Sequence, residues 1–260
     1  MNNYEKLEGM VAATFTPLDE NGDVNLSVID KYADWIASTP IKGVFVCGTT
    51  GEFSSLTIDE RKLILEKWLV SARKRFRVIA HVGSNCQRSA MELARHAAQV
   101  GADAIASIAP SFFKPGTVDE LVDFFAPICH SAAGLPFYYY NMPSITGVNL
   151  PVDKFLVEGK KKIPNLVGTK FTHNNLMEMG VCIELEQHRF EVLHGYDEIL
   201  ISGLAMGAVA GVGSTYNYIP NVYQAIFDSM KMNDLETARH NQIKSIRTVE
   251  VIIKYGGGVR

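Results

Sequence analysis

VIAHVGSNCQRSAMELARHAAQVGADAIASI, residues Val78–Ile108, reads as a strand, a helix and a second strand in one run. Val78–Val82 and Ala104–Ile108 are short and apolar. Between them, Ala90–Val100 repeats its apolar residues at helical spacing and stops at Gly101, where a C-terminal cap belongs. Strand, crossover helix and strand form the unit from which parallel sheets are built.

The same alternation extends in both directions. Strand-like runs recur at Met10–Thr14, Gly43–Cys47, Phe137–Tyr140, Leu166–Lys170, Glu191–His194 and Ala208–Val212, which with the first two makes eight. Helical spacing marks Ile29–Ile36, Ile58–Val70, Leu121–Cys129 and Leu176–Leu185. Thr57-Ile-Asp-Glu60 reads as a capping box, and Gly134 sits where another cap belongs. Most strand runs start roughly 20 to 35 residues after the last, the repeat of a βαβ unit. Open doubly wound sheets share this alternation, and the count of eight favours closure into a (β/α)8 TIM barrel. From about Pro220 the pattern is wholly helical, at Val222–Met232 and Leu235–Tyr255. The expected organisation is a barrel over residues 1–220 and a C-terminal helical extension, 221–260, packed on it as one structural unit. The sequence stops at Tyr255-Gly-Gly-Gly-Val-Arg260 straight after a helical pattern, so the extension is expected to be cut short.

A chain of 260 residues that is 47% hydrophobic suits one barrel domain. The net charge of -3, with Lys and Arg spread along the chain, gives no footprint for nucleic acid or an anionic membrane, and a small-molecule partner is expected. The four cysteines, Cys47, Cys86, Cys129 and Cys182, lack CxxC spacing and read as reduced thiols of a cytoplasmic protein. The N-terminal stretch carries charges where a signal peptide would need an apolar core, so none is expected, and no apolar run approaches membrane-spanning length.

Active sites of such barrels gather at the C-terminal ends of the strands. The polar residues closing the strand runs are Thr14 and Thr16, Gly48-Thr49-Thr50-Gly51-Glu52, His81, Tyr138-Tyr139-Tyr140-Asn141, Lys170 with Thr172, Gly195-Tyr196-Asp197-Glu198, and Gly213-Ser214-Thr215-Tyr216. A lysine ending Leu-Val-Gly-Thr-Lys170 would be aimed into the barrel. Burial there disfavours the ammonium relative to the neutral amine that attacks a ketone; the bland alternative is a lysine that snorkels to the rim. Tyr140 ends the preceding strand and could face Lys170 as a proton shuttle, although three consecutive tyrosines must alternate between lumen and helix layer, so at least one is packing. Gly48–Glu52 offers hydroxyls and N–H groups to a carboxylate, or is a plain Gly-rich turn. It lacks the Lys-Ser/Thr of a phosphate loop. Asp197 and Glu198 could bind polyol hydroxyls, hold a metal, or cap the helix starting near Ile199. The metal reading is poor because no second histidine or carboxylate set shows ligand spacing. His81 reads as a core or rim histidine.

Five of these pieces, GTTGE at Gly48–Glu52, YNMPSITG at Tyr140–Gly147, GTK at Gly168–Lys170, GYDE at Gly195–Glu198 and GSTYN at Gly213–Asn217, carry a resemblance over the whole chain. The sequence is similar to the pyruvate-dependent class I aldolase family that contains N-acetylneuraminate lyases and dihydrodipicolinate synthases. The resemblance implies that Lys170 forms a Schiff base, that Tyr140 relays protons, and that Thr49 and Thr50 hold a pyruvate carboxylate. GYDE and GSTYN look like the neuraminate lyase branch, where Thr172, Gly195, Asp197, Glu198 and Ser214 would contact the hydroxyl-bearing tail of a sugar acid. Ile145 stands where the synthase branch carries a carboxylate-binding arginine. Phe112 stands where many members place a tyrosine that reaches into the neighbouring subunit's site.

The implied activity is cleavage of N-acetylneuraminate to N-acetylmannosamine and pyruvate through a covalent adduct on Lys170, with no metal or organic cofactor, in a homo-oligomer that resemblance makes a tetramer. The alternatives are another class I pyruvate aldolase or synthase acting on a different 2-keto-3-deoxy acid, and a non-catalytic sugar-binding barrel. A barrel binding pyridoxal phosphate is disfavoured by the lack of a phosphate loop late in the chain.

Overall fold

A computed structural model describes residues 4–132 and 134–256 of the chain. Eight parallel strands close into a barrel in sequence order. They are β1 (Gly9–Ala13), β2 (Gly43–Val46), β3 (Arg77–His81), β4 (Ala104–Ile108), β5 (Phe137–Asn141), β6 (Leu166–Phe171), β7 (Glu191–His194) and β8 (Ala210–Gly213). The helices are α1 (Val28–Ala37), α2 (Ile58–Ala72), α3 (Gln87–Val100), α4 (Val118–Ser131), the short α5 (Pro143–Thr146), α6 (Val152–Lys162), α7 (Leu176–Glu184), α8 (Leu200–Ala205), α9 (Pro220–Lys231) and α10 (Leu235–Lys254). The strands lie within two residues of the runs read from sequence. The Thr57–Glu60 capping box is formed, and Gly101 closes α3 at φ +84°.

Alternation divides each strand between two cores. Val11, Phe45, Ile79, Ala106, Tyr138, Tyr140 and Leu193 fill the lumen, while Tyr139, Val192 and Phe171 join the layer between strands and helices. Of the three tyrosines, Tyr139 is therefore the packing residue, its ring 4.7 Å from that of Phe155. Tyr138 faces the lumen but at the floor of the barrel, so it does not belong with the residues of the mouth.

One irregularity aims the site. Phe137 pairs with Leu166, yet Tyr138 pairs with Gly168, so Val167 is an extra residue in β6. Leu166 faces the helix layer, and strict alternation from it would send residues 168 and 170 the same way. The extra residue reverses that parity and makes Lys170 the partner of Tyr140, with both side chains on the lumen side.

α9 packs on β1 and α8, the place of the helix of the eighth βα unit, although the sequence pattern groups it with the extension. α10 packs on α9, on α8 and on the loop after β7. Residues 257–260 of the expected extension lie outside the described residues. Among the described residues, no helix is long and apolar enough to cross a membrane.

Candidate active site

Lys170 is 5% exposed, deep in the mouth of the barrel. Its Nζ lies 4.1 Å from the centroid of the Tyr140 ring and 4.6 Å from that of Phe45. Among the described residues no carboxylate is within salt-bridge distance of it, so the amine sits between two aromatic faces. The Tyr140 hydroxyl lies 3.1 Å from Thr49 Oγ1 and donates to Met142 Sδ at 3.1 Å. A thioether and a threonine are weak partners that an arriving substrate can replace. Thr50 is buried beside Thr49.

The GTTGE turn is braced from β3. Cys47 adopts φ +54°, and its carbonyl lies 2.8 Å from Nδ1 of the buried His81. Burial first, then the charges of Arg61 and Lys170, hold the imidazole pKa well below its usual value, so the ring is neutral and Nδ1–H is the donor. Arg61, itself buried, donates to the carbonyls of Gly83 at 2.9 Å and His81 at 2.7 Å, and its guanidinium lies 5.4 Å from the Phe53 ring centroid. His81 keeps the supporting role that its sequence position suggests.

The ends of β6, β7 and β8 make the other half of the mouth. Thr172 is buried with Oγ1 free of any partner among the described residues, and Gly195 approaches it so closely that a Cβ there would overlap the hydroxyl. A Cβ at Gly213 would overlap the Asp197 carboxylate in the same way. Glu198 and Ser214 are half-buried at the rim. Asp197 does not cap its own helix. Its Oδ2 accepts from Thr215 N at 2.8 Å and Thr215 Oγ1 at 2.7 Å, tying the β7 and β8 loops together. Burial pushes the Asp197 carboxyl up to about 6 against the pull of those hydrogen bonds; the charge of Glu198 adds to the rise and that of Lys170 opposes it. His194 turns into the helix layer, where a Cβ at Gly203 would meet its ring, and so diverges from the Asp197 carboxylate. Among the described residues no group of three or more His, Cys, Asp and Glu is placed to hold a metal ion.

Lys170, Tyr140 and Thr49 thus form one contact group, Thr172 meets Gly195, and Asp197 meets Gly213 and Thr215. Phe45 and Met142 belong with the first group, although their apolar side chains gave no chemical signal in the sequence. Ile145 is exposed on α5. Phe112, 78% exposed, packs on Phe113 in the loop after β4.

Residues 6–256 match the model of the dihydrodipicolinate synthetase family. The N-acetylneuraminate lyase of Mus musculus is 42% identical over 258 residues, 98% of this chain and 81% of its own. That of Gallus gallus is 43% identical over 262 residues, 100% and 85% of the two chains. Among solved structures, an N-acetylneuraminate lyase (sialic acid aldolase) from Aliivibrio salmonicida superposes with a TM-score of 0.95 at 37% identity, over 98% of this chain and 84% of that one. The N-acetylneuraminate lyase of Proteus mirabilis gives 0.94 at 36% identity, over 97% and 85%.

Proposed function

The chain belongs to the dihydrodipicolinate synthetase family, and from that premise we propose that it is a Schiff-base lyase that cleaves N-acetylneuraminate to N-acetylmannosamine and pyruvate. The observation that carries the reading is the Lys170 amine 4.1 Å from the Tyr140 ring centroid, with the Tyr140 hydroxyl 3.1 Å from Thr49. The names of these relatives, which the chain matches over nearly its whole length, support the choice of sugar acid.

In the proposed cycle Thr49 and Thr50 hold the carboxylate of the open-chain sugar acid while Lys170 attacks the adjacent ketone. Tyr140 gives its proton to the carbinolamine hydroxyl, which leaves as water and yields the iminium. The resulting phenolate takes the proton of the C4 hydroxyl as the C3–C4 bond breaks. The electron pair of that bond moves to the iminium nitrogen, leaving an enamine and N-acetylmannosamine. Protonation at C3 and hydrolysis then release pyruvate and restore the amine. Thr172, Gly195, Asp197, Glu198 and Ser214 meet the hydroxyl-bearing tail, with Asp197 acting chiefly through the loop it holds. The cycle calls on no metal or organic cofactor. We further infer a role in sialic acid catabolism, a cytoplasmic location and a homotetramer, the last of which size-exclusion chromatography with light scattering checks.

Intact mass after borohydride reduction with N-acetylneuraminate tests the reading. A pyruvate-sized adduct that is absent in Lys170→Ala is expected. An adduct from pyruvate but not from the sugar acid would move the substrate elsewhere in the family, and no adduct from either would overturn the Schiff-base chemistry.

A further inference from the structure

The loop that follows β7 is held from the far end of the chain. Gln242 and Ser245, both buried, lie one turn apart on α10. Gln242 Nε2 donates to the Asp197 carbonyl at 3.0 Å, and its Oε1 accepts from Ile201 N at 2.8 Å, so one amide spans the 3₁₀ turn Asp197–Ile199. Ser245 Oγ donates to the same carbonyl at 3.3 Å. On the other side of Asp197, Thr215 Oγ1 donates to the carboxylate and also meets the hydroxyl of Tyr223 on α9, which lies 2.8 Å from Ser245 Oγ. The carbonyl and the carboxylate of Asp197 thus end in one network drawn from α9 and α10, and Lys170, Tyr140 and Thr49 take no part in it.

We propose that Gln242 and Ser245 are positioning residues for recognition of the substrate's hydroxyl-bearing tail. They pin the Asp197 carbonyl and so fix the direction in which Glu198, the next residue, meets the substrate. The inference rests on the sugar-acid reading above and adds a specificity element in a helix that does not line the mouth. A turn this short makes few backbone hydrogen bonds of its own, so its position depends on what grips it from outside. Gln242 satisfies an acceptor at the start of that turn and a donor in the first turn of α8 that follows it, whereas a methionine of similar volume satisfies neither. The pyruvate half of the site hangs on β2, β5 and β6 and does not share this support.

Gln242→Met and Ser245→Ala, alone and together, separate the two halves. Asn241→Ala is the control, because Asn241 is buried on the same helix but its side chain donates only to Thr237 O of that helix, at 3.0 Å. With Gln242→Met, KM for N-acetylneuraminate is expected to rise about tenfold, while the pyruvate concentration that half-saturates borohydride trapping changes less than about twofold. Asn241→Ala is expected to lower Tm without moving either value. Parallel rises in both constants, or no change in either, would overturn the proposal. Hydrogen exchange gives a readout that needs no sugar. The Ile201 amide and its neighbours in residues 195–201 are expected to exchange faster in Gln242→Met, with residues 48–50 unchanged, and unaltered exchange at 195–201 would overturn the clamp. A wild type that does not turn over N-acetylneuraminate would remove the reading of the preceding subsection, and exchange at 195–201 would still decide whether α10 holds the loop.

Discussion

Tyr138 and Tyr140 lie on one strand, face the same lumen, and differ in what their hydroxyls meet. At the floor, Tyr138 donates to Glu191 Oε2 at 3.0 Å, and that oxygen also accepts from Leu7 N at 2.8 Å, with Tyr4 closing the cluster against Tyr138. At the mouth, among the described residues, the Tyr140 hydroxyl has only Thr49 and the Met142 thioether. β7 carries a buried carboxylate at one end and another just past the other, both held by protein donors. Glu191 opens the strand inside a satisfied network, and Asp197 follows its end within the loops of the site. For the tyrosines, one residue type serves packing where strong protein partners surround it, and chemistry where a strong partner is missing.

The largest effect expected is at Lys170. Lys170→Ala should lower kcat by at least about 10³-fold with the fold intact by circular dichroism. An active alanine variant would remove the mouth from the comparison altogether. Next comes the tyrosine pair. Tyr140→Phe should cost about 10²- to 10⁴-fold in kcat while the pyruvate adduct still forms, more slowly. Tyr138→Phe should leave kcat within about threefold and lower the unfolding free energy by about 1–3 kcal/mol, because Glu191 loses a buried donor. Equal rate losses in the two variants would mean that floor and mouth are one unit.

Comparable in size to the Tyr138→Phe effect is the pH dependence of stability, which tests the two carboxylates. Burial raises the pKa of both Glu191 and Asp197, the latter from 3.8 to about 6. A carboxyl whose folded pKa is raised adds stability that is complete below its unfolded pKa and is lost as pH rises through its folded one. Relative to Asp197→Asn, the wild type should lose up to about 3 kcal/mol between pH 4 and pH 7 in urea titrations, most of it by pH 6. Glu191→Gln should remove a separate loss that begins near pH 4.5. A difference between wild type and Asp197→Asn that stays flat over that range would mean that Asp197 is solvated in the folded protein.

The strands, the capped helices and the Lys170–Tyr140 pair were legible because each is a local signal: an apolar run, a Thr-x-x-Glu box, or a polar residue closing a strand. α6 was not among the helices read, since Val152–Lys162 combines a glycine with a run of three lysines and shows only a narrow apolar face at Val152, Phe155 and Leu156. Tyr138 looks like a mouth residue because its neighbour two positions on is one, and its contacts with Glu191 and Tyr4 place it at the floor. The role of Asp197 stayed open between sugar, metal and cap because its partners, Thr215 and Gln242, lie in later elements of the chain. Hydrogen bonds between distant positions leave no periodicity to read.

The extra residue at Val167 has a consequence for anyone who would move this chemistry to another scaffold. The side that a strand residue faces depends on whether an odd or an even number of residues separates it from a fixed point, so the position of Lys170 is a property of counting as much as of side-chain identity. A barrel given the lysine and the tyrosine on regular strands, with Leu166 still facing outward, would present its amine to the surrounding helices. The portable unit is therefore three residues, and the third, Val167, has no reactive group at all.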